Sequence, residues 1–256
     1  MAHMRAPCGP SDLISGTYED LAAEYYDAVR HPTCANFREA SSYVLGPWLA
    51  TRVPPRATIY DVGAGRSLVA ELAGSDRDLD GLVLVDSSPT MLAYSIEWVK
   101  RGARLVEAPA ERLPAAAESV DALVASLGDP YNTPEFWAEA QRVVRPGGRV
   151  FFTTPSHEWA VAFRTRDDGE SALTRAEFEL ADGRRIAVLS HILAVGAQVT
   201  LIERAGFVVD EIAGVRLDAL TATPVSGKLL VARGSAAAIV YGYHVTKRAP
   251  SRQRHG

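Results

Sequence analysis

The sequence predicts an α/β protein built on a seven-stranded, mostly parallel, doubly wound sheet, and three observations carry that reading. Short apolar runs alternate with helical patterns between residues 58 and 154, the rhythm expected when helices cover both faces of a parallel sheet. One of those runs, Ile59-Tyr60-Asp61-Val62, passes into the glycine-rich turn Gly63-Ala64-Gly65 and then into a helical pattern. The chain of 256 residues is 47% hydrophobic, enough for one large buried core.

The elements follow in order. Leu21, Ala22, Tyr25, Tyr26 and Val29 recur at helical spacing over 18–30, and Pro32 stops the pattern. A second helix is predicted over 36–49, with Phe37, Ala40, Tyr43, Val44 and Trp48 inward. Together they make residues 1–55 an N-terminal helical cap. Strands are predicted at 58–62, 82–85, 104–107, 122–126 and 149–154, with helices at 67–73, 89–100 and 134–144. Past Pro155 the period changes to two. Residues 176–180 and 185–190 alternate around Asp182-Gly183, which predicts an antiparallel hairpin inserted as a flap within 156–195. A helix over 197–205 ends at Gly206, and strands at 207–215 and 238–246, the last antiparallel to its neighbour, close the domain spanning 56–248. Residues 214–234 show no clear period. The basic residues of 249–256 read as a flexible tail, and Met1-Ala2-His3-Met4 as a cloning scar.

The formal net charge of −4 argues against a polyanion such as DNA or RNA as partner. Cys8 and Cys34 form no CxxC pair and no metal-ligand spacing, so a reducing, cytoplasmic setting and no metal site are expected. No apolar run reaches the roughly 18 residues a membrane span needs, and the start lacks the layout of a signal peptide.

The glycine turn marks a ligand site, because Gly63 and Gly65 let backbone approach a ligand that a Cβ would push away. The ligand's charge follows from Asp61. A carboxylate leading into the turn repels a diphosphate and favours a cation, and the dinucleotide fingerprint is incomplete because Leu68 stands at its third glycine. A sulfonium and an α-ammonium on one adenosyl compound, S-adenosylmethionine, satisfy that preference. Asp86 ends the second strand about 20 residues later, where a carboxylate accepts ribose hydroxyls of NAD and adenosyl cofactors alike.

The ordered set Asp61-x-Gly63-x-Gly65, Asp86, Ala110-Glu111-x-Leu113-Pro114, Val120-Asp121-Ala122-Leu123 and Arg142-Val143-Val144-Arg145-Pro146-Gly147-Gly148 resembles class I S-adenosylmethionine-dependent methyltransferases of the small-molecule branch. The resemblance spans residues 56 to 213, with Gly206-Phe207 in its carboxyl half, and implies the Rossmann-like methyltransferase fold. It implies that Asp61, Gly63, Ala64 and Gly65 support the methionine moiety, Asp86 with Ser87 and Met91 the ribose, and Ala110 and Glu111 the adenine. Pro109 stands where relatives often carry an acid, so a backbone group or Glu111 replaces that contact. Asp121 and the Arg145-Pro146-Gly147-Gly148 turn are read as structural. From the cap, Tyr25 or Tyr26 and Arg38 are candidates for the methionine carboxylate, with core packing as the alternative for the tyrosines.

The acceptor belongs beside the end of the fourth strand, Ser126-Leu127-Gly128-Asp129-Pro130-Tyr131-Asn132. Asp129 and Tyr131 are the candidates for contact with it, and Ser126 and Leu127 for the methyl-bearing side of the cofactor. The segment is weakly similar to the Asp-Pro-Pro-Tyr loop of amino-directed methyltransferases. The alternative is a proline turn in which Asp129 and Asn132 cap the next helix. His157 is a candidate general base and His191 its runner-up, each weighed against a plain surface histidine, with His31 read as loop. Trp137, Trp159, Phe163 and Phe178 are candidate pocket walls or packing residues.

The leading expectation is a methyltransferase acting on an O, N or C nucleophile of a small molecule, releasing S-adenosylhomocysteine. Methylation of a nucleobase amine and non-catalytic cofactor binding stand beside it, with an NAD oxidoreductase more distant. The acceptor's identity and the oligomeric state are left open.

Overall fold

The computed structural model describes residues 13–74, 78–168, 173–221, 224–234 and 236–249. The proposed cloning scar and almost all of the basic tail therefore lie outside the described residues.

The chain enters through β1 (Ile14–Ser15) and the single-turn helix α1 (Tyr18–Leu21), then forms the long α2 (Pro32–Arg52). The alternating part comprises β2 (Ile59–Val62), α3 (Leu68–Leu72), β3 (Leu82–Asp86), α4 (Pro89–Ala93), β4 (Arg104–Glu107), β5 (Val120–Ala125), α5 (Pro134–Val143) and β6 (Val144–Pro155). After it come α6 (His157–Asp168), β7 (Arg175–Glu179), β8 (Arg185–Leu189), α7 (Val195–Arg204), β9 (Phe207–Arg216) and β10 (Ala238–Lys247). The seven-stranded sheet has the order β4-β3-β2-β5-β6-β10-β9. Its first five strands pair in parallel, and β10 runs antiparallel to both of its neighbours. The strand order reverses between β2 and β5, so the crevice opens at their carboxyl ends, where open α/β sheets bind ligands.

Alternation along each strand builds the two core layers. Ile59, Leu82, Leu84, Val124 and Phe151 face Leu45, Trp48 and Leu49 of α2 and Leu68 and Val69 of α3. Tyr60, Val62, Leu123, Val150 and Phe152 face Phe136, Trp137 and Ala140 of α5 and Ile202 of α7. Burying each large side chain of this kind contributes about 1.5–3 kcal/mol. Trp137, offered by the sequence as a pocket wall, is wholly buried in the second layer and is a core residue.

The hairpin forms where its alternation predicted, with β7 and β8 antiparallel. It recruits β1, which pairs parallel to β8, into a second, three-stranded sheet. Gly16 makes that approach close, since a Cβ there would lie 2.9 Å from Cβ of Ile186. Leu21 of α1 then packs with Leu180, Ile186 and Val188, so cap and hairpin share one small core.

The cap differs from its predicted form. In place of a helix over 18–30, α1 is confined to Tyr18–Leu21 and turns follow it. The Asp27 carboxylate accepts from the backbone N–H groups of Val29 and Arg30, a local alternative to helical bonding. Val29, predicted inward, is 91% exposed. Pro32 opens α2 as its first residue, where the missing N–H costs nothing. Tyr43 points outward and donates to Glu39 Oε1 at 2.5 Å. The predicted helix over 89–100 splits into α4 and a 3₁₀ turn, Ile96–Arg101. Among its described residues, the patternless stretch after β9 contains two 3₁₀ turns, Leu217–Ala219 and Gly227–Ala232.

Candidate active site

A cavity of about 1170 Å³ lies over the carboxyl ends of β2, β3 and β5, bounded by the cap on one side and the hairpin on the other. Pockets for a single drug-sized ligand measure about 300–1,000 Å³, so this one has room for a cofactor and a second molecule.

Its floor is the glycine turn. Gly63 and Gly65 have φ of +62° and +42°, in the region glycine tolerates best. A Cβ on Gly63 would come within 2.6 Å of the Tyr131 hydroxyl, and one on Gly65 would collide with the Tyr26 hydroxyl. Gly65 sits behind Tyr26 and does not line the cavity, whereas Gly63 and Ala64 do. The Gly65 N–H donates to Asp86 Oδ2 at 2.9 Å and the Ser88 N–H to Asp86 Oδ1 at 2.9 Å. Asp86 thus holds the turn and the start of α4 together, with each oxygen keeping a further lone pair for a ligand hydroxyl. Burial raises its carboxyl above the usual range, against the lowering effect of the Ser88 and Gly65 N–H groups.

Asp61 is 2% exposed and lines the cavity beside the turn. Ser67 Oγ donates to its Oδ2 at 2.5 Å, and among the described residues no hydrogen-bond donor meets Oδ1. Burial pushes its carboxyl up to about 7, opposed by the Ser67 hydroxyl and by the Arg38 charge. A buried carboxylate with one free oxygen at a ligand cavity is suited to a cation.

The cap seals this end. Tyr26 Oη accepts the Arg66 N–H at 2.7 Å, and burial raises its hydroxyl pKa to about 12. Glu19 accepts from Ser88 Oγ at 2.5 Å and from both the backbone and the hydroxyl of Thr90. Arg38 lies 2.7 Å from Glu71, donates to the Arg66 carbonyl at 2.5 Å and packs over the Tyr26 ring. These contacts use much of Arg38's donor capacity within the protein. Tyr25, Tyr26, Arg38, Ser87, Met91, Ala110, Glu111, Ser126 and Leu127, all anticipated, line the cavity. Leu127 has φ +55°, a left-handed conformation that strains a leucine by about 1–3 kcal/mol. Thr153 holds it there, its hydroxyl accepting the Leu127 N–H at 2.8 Å and its carbonyl the Gly128 N–H at 2.9 Å.

The acceptor-side candidates separate. Asp129 is 6% exposed, lines the cavity and accepts from Ser190 Oγ at 2.5 Å. Burial pushes its carboxyl up to about 6 against the Ser190 hydrogen bond. Tyr131 also lines the cavity, but its hydroxyl donates to the Val62 carbonyl at 2.6 Å, which makes it part of the floor. Asn132 is bonded to Gln198, Trp137 and the His191 carbonyl, and Thr133, rather than Asp129 or Asn132, caps α5.

His157 does not line the cavity. Ser156 caps the start of α6 by accepting the Trp159 N–H at 3.1 Å, and His157 follows it outside the cavity lining. His191 is likewise not part of the lining and gives its N–H to the Asp129 carbonyl at 2.7 Å. His31 precedes α2, buried 3.4 Å from Glu24. Trp159, Phe163 and Phe178 do line the cavity. Sequence reasoning missed Arg164, Ser190 and Cys34. Arg164 and Cys34 lie on the cavity wall and Ser190 binds Asp129 behind it. Nothing local in the sequence marks Arg164 and Ser190, because the fold-back of the hairpin onto α6 brings them together, while Cys34 reaches the wall from α2. Ser88 and Pro89 do carry a signal, the Ser-Pro start of a helix.

Asp121 is structural, accepting from Thr58 N at 2.8 Å and Arg145 Nε at 2.5 Å. Among the described residues no cluster of three or more His, Cys, Asp or Glu is placed to hold a metal, and no helix is long and apolar enough to cross a membrane.

Residues 60–152, which run from the first central strand through the glycine turn to β6, match the family described as a methyltransferase domain. That segment carries the methyltransferase-domain match, and the strand order around it is that of the Rossmann-like methyltransferase fold. S-adenosylmethionine is the cofactor these similarities support, and the carboxylates of Asp61 and Asp86 both line the cavity that would receive it.

The methyltransferase domain is also similar to the biotin biosynthesis bifunctional protein BioHC of Cellvibrio japonicus, 29% identical over 136 residues. That match covers 52% of this chain and 25% of the relative, so the chain spans about a quarter of that curated protein's length. Among solved structures, a chain of the complex between the Haloferax volcanii Trm112 methyltransferase activator and a methyltransferase superposes with a TM-score of 0.64 at 12% identity, covering 91% of this chain and 96% of that one. The 1,6-didemethyltoxoflavin-N1-methyltransferase of Burkholderia thailandensis, solved with 1,6-didemethyltoxoflavin and S-adenosylhomocysteine, gives 0.51 at 16% identity, covering 94% and 93%. At these identities the superpositions speak to the fold.

Proposed function

We propose that the protein transfers a methyl group from S-adenosylmethionine to an O, N or C nucleophile of a small-molecule acceptor, with S-adenosylhomocysteine as the second product. The observation that carries this reading is that one cavity runs from the Asp61 and Gly63 turn to an aromatic wall beyond Asp129, covered by the cap and the hairpin. A covered chamber of that size suits two small molecules held end to end and excludes water from the reacting centre.

The cofactor supplies an electrophilic methyl group; the chain supplies alignment and charge. Asp61 would hold the ammonium of the methionine moiety, Asp86, Ser87 and Met91 the ribose, and Ala110 and Glu111 would border the adenine. Tyr25, Tyr26 and Arg38 close the methionine end. Holding acceptor and methyl in line supplies much of the rate. Asp129, poised near pH 6, accepts the acceptor's proton or orients its N–H or O–H. An amino-directed reaction on a nucleobase gains no support, since Asn132 and Tyr131 spend their polar groups inside the protein.

Calorimetry with S-adenosylhomocysteine is expected to give one site per chain, lost in Asp86→Ala. Labelled S-adenosylmethionine is expected to pass its methyl to members of a small-molecule panel without nucleic acid present. Absence of binding, or transfer to nucleic acid alone, would overturn the proposal.

A further inference from the structure

Beyond Asp129 the cavity wall contains a guanidinium whose contacts are unevenly distributed. Arg164 lines the cavity from α6, packed over the Trp159 ring with 5.2 Å between guanidinium carbon and ring centroid. Its Nη1 donates to the Arg175 carbonyl at 3.0 Å and to Ser190 Oγ at 2.9 Å. The Ser190 hydroxyl in turn donates to Asp129 at 2.5 Å. Among the described residues, neither Nε nor Nη2 of Arg164 has a hydrogen-bond acceptor, and no carboxylate forms an ion pair with it. Nε and Nη2 carry the two parallel N–H bonds along one edge of the guanidinium, the edge that grips a carboxylate through both oxygens. A side chain fixed on three sides, with that edge left over, is pre-organised for a planar anion.

The charges around it agree. Glu177, another acid on this wall, is paired with Arg185 at 2.7 Å. Asp129 reaches Arg164 only through Ser190, whose hydroxyl it accepts, and its charge acts on the guanidinium without a direct ion pair. Arg175 and Lys228 add positive charge on the same side, Lys228 lying 5.8 Å from the Phe163 ring centroid. Trp159, Phe163, Phe178 and Phe37 supply apolar surface to the same cavity. Burial lowers the Arg164 pKa, which an incoming anion would reverse.

We infer that the acceptor is an apolar or aromatic carboxylic acid, its carboxylate gripped by the Nε and Nη2 edge of Arg164 and its body lying along the Trp159 and Phe163 wall toward Asp129. This rests on the methyltransferase reading and adds to it the class of acceptor. The assignment makes Arg164 a binding residue, with Ser190 as the residue that positions both it and Asp129.

The test uses the full chain saturated with S-adenosylhomocysteine and three matched probe pairs: benzoate and benzamide, 3-phenylpropanoate and its amide, indole-3-acetate and its amide. Titration calorimetry is expected to show acids binding at least about tenfold more tightly than their amides, a difference of about 1.4 kcal/mol. Arg164→Met is expected to reduce the acid preference to about twofold or less, Arg164→Lys to keep part of it because the charge survives without the fork. Phenyl phosphate serves as a second anion, expected to bind more weakly than benzoate. Equal binding of acid and amide, binding of neither member of any pair, a phosphate preferred over the carboxylates, or a preference that survives Arg164→Met would each overturn the assignment. Affinity for S-adenosylhomocysteine is read in the same variants and is expected to be unchanged; its loss in the wild type would instead refute the cofactor reading. Ser190→Ala offers a milder probe should Arg164→Met fold poorly, with the acid preference expected to fall by about threefold.

Discussion

The Tyr131 hydroxyl donates to the carbonyl of Val62 at 2.6 Å, and this bond lays the tyrosine ring across Gly63. The loop after β5 and the turn after β2 are thereby locked as one surface.

Gly63→Ala puts a Cβ 2.6 Å from that hydroxyl at a residue with φ +62°. The variant is expected to lose about 1–3 kcal/mol of stability and at least about a hundredfold in S-adenosylhomocysteine affinity. Tyr131→Phe, which keeps the ring and leaves the Val62 carbonyl unmatched, is expected to cost only about 1 kcal/mol. Denaturant titration and calorimetry on both variants check the contrast.

Asp61 has a second consequence, in pH. Its folded-state carboxyl titrates near 7, above an ordinary aspartate, so the unfolded chain ionises first as pH rises. Stability from this group is therefore present at low pH and declines as pH climbs from about 4 to 7, then levels off. Asp61→Asn is expected to make the empty protein more stable at pH 8, by up to about 4 kcal/mol. The same substitution removes the anion proposed to meet the cofactor's positive charge. Wild-type affinity for S-adenosylhomocysteine is expected to rise with pH up to about 7 with proton release, and to lose that slope in Asp61→Asn. Calorimetry in buffers of different ionisation enthalpy measures both effects.

Asp129 sets the expected pH profile of turnover. With a carboxyl near 6, its ionised fraction grows through that pH, so kcat is expected to rise with pH there. Asp129→Asn is expected to flatten that limb and lower kcat by about a hundredfold or more with an acceptor that must lose a proton. An unchanged profile would assign proton transfer elsewhere.

Much of the scaffold was legible because buried parallel strands leave a plain record. Leu82-Val83-Leu84-Val85 is apolar throughout, since both faces of β3 are covered. Asp61 and Asp86 stood out for a chemical reason, a carboxylate at the end of an apolar strand beside glycine. The cap was misread because Leu21, Tyr25 and Val29 keep helical spacing although Asp27 diverts the backbone bonds after them. Spacing records which residues could share a face, while side-chain competition for backbone N–H decides whether the helix forms. Arg164 and Ser190 were invisible because they meet only after the hairpin folds back onto α6. His157 was chosen by type and proximity in sequence, and a helix cap at Ser156 turned it away.

Glu24 joins the cap to the hairpin, accepting the Ala181 N–H at 2.9 Å and Arg30 Nε at 2.6 Å. Glu24→Ala is expected to loosen that closure, raising KM for the acceptor several-fold while costing about 1 kcal/mol or less in stability. Steady-state kinetics beside thermal unfolding separate the two effects.

Tyr26 and Glu19 carry a temporal consequence. Both belong to the segment that precedes the sheet, and both are bonded to the rim of the cofactor's half of the chamber, at Arg66 and at Ser88 and Thr90. Spent donor is therefore expected to leave as this segment lifts, and a fresh molecule to arrive before it settles again. Such a cycle is expected to follow a traffic rule, donor in first and out last, whose kinetic mark would be a rapid first turnover followed by a slower repeating pace.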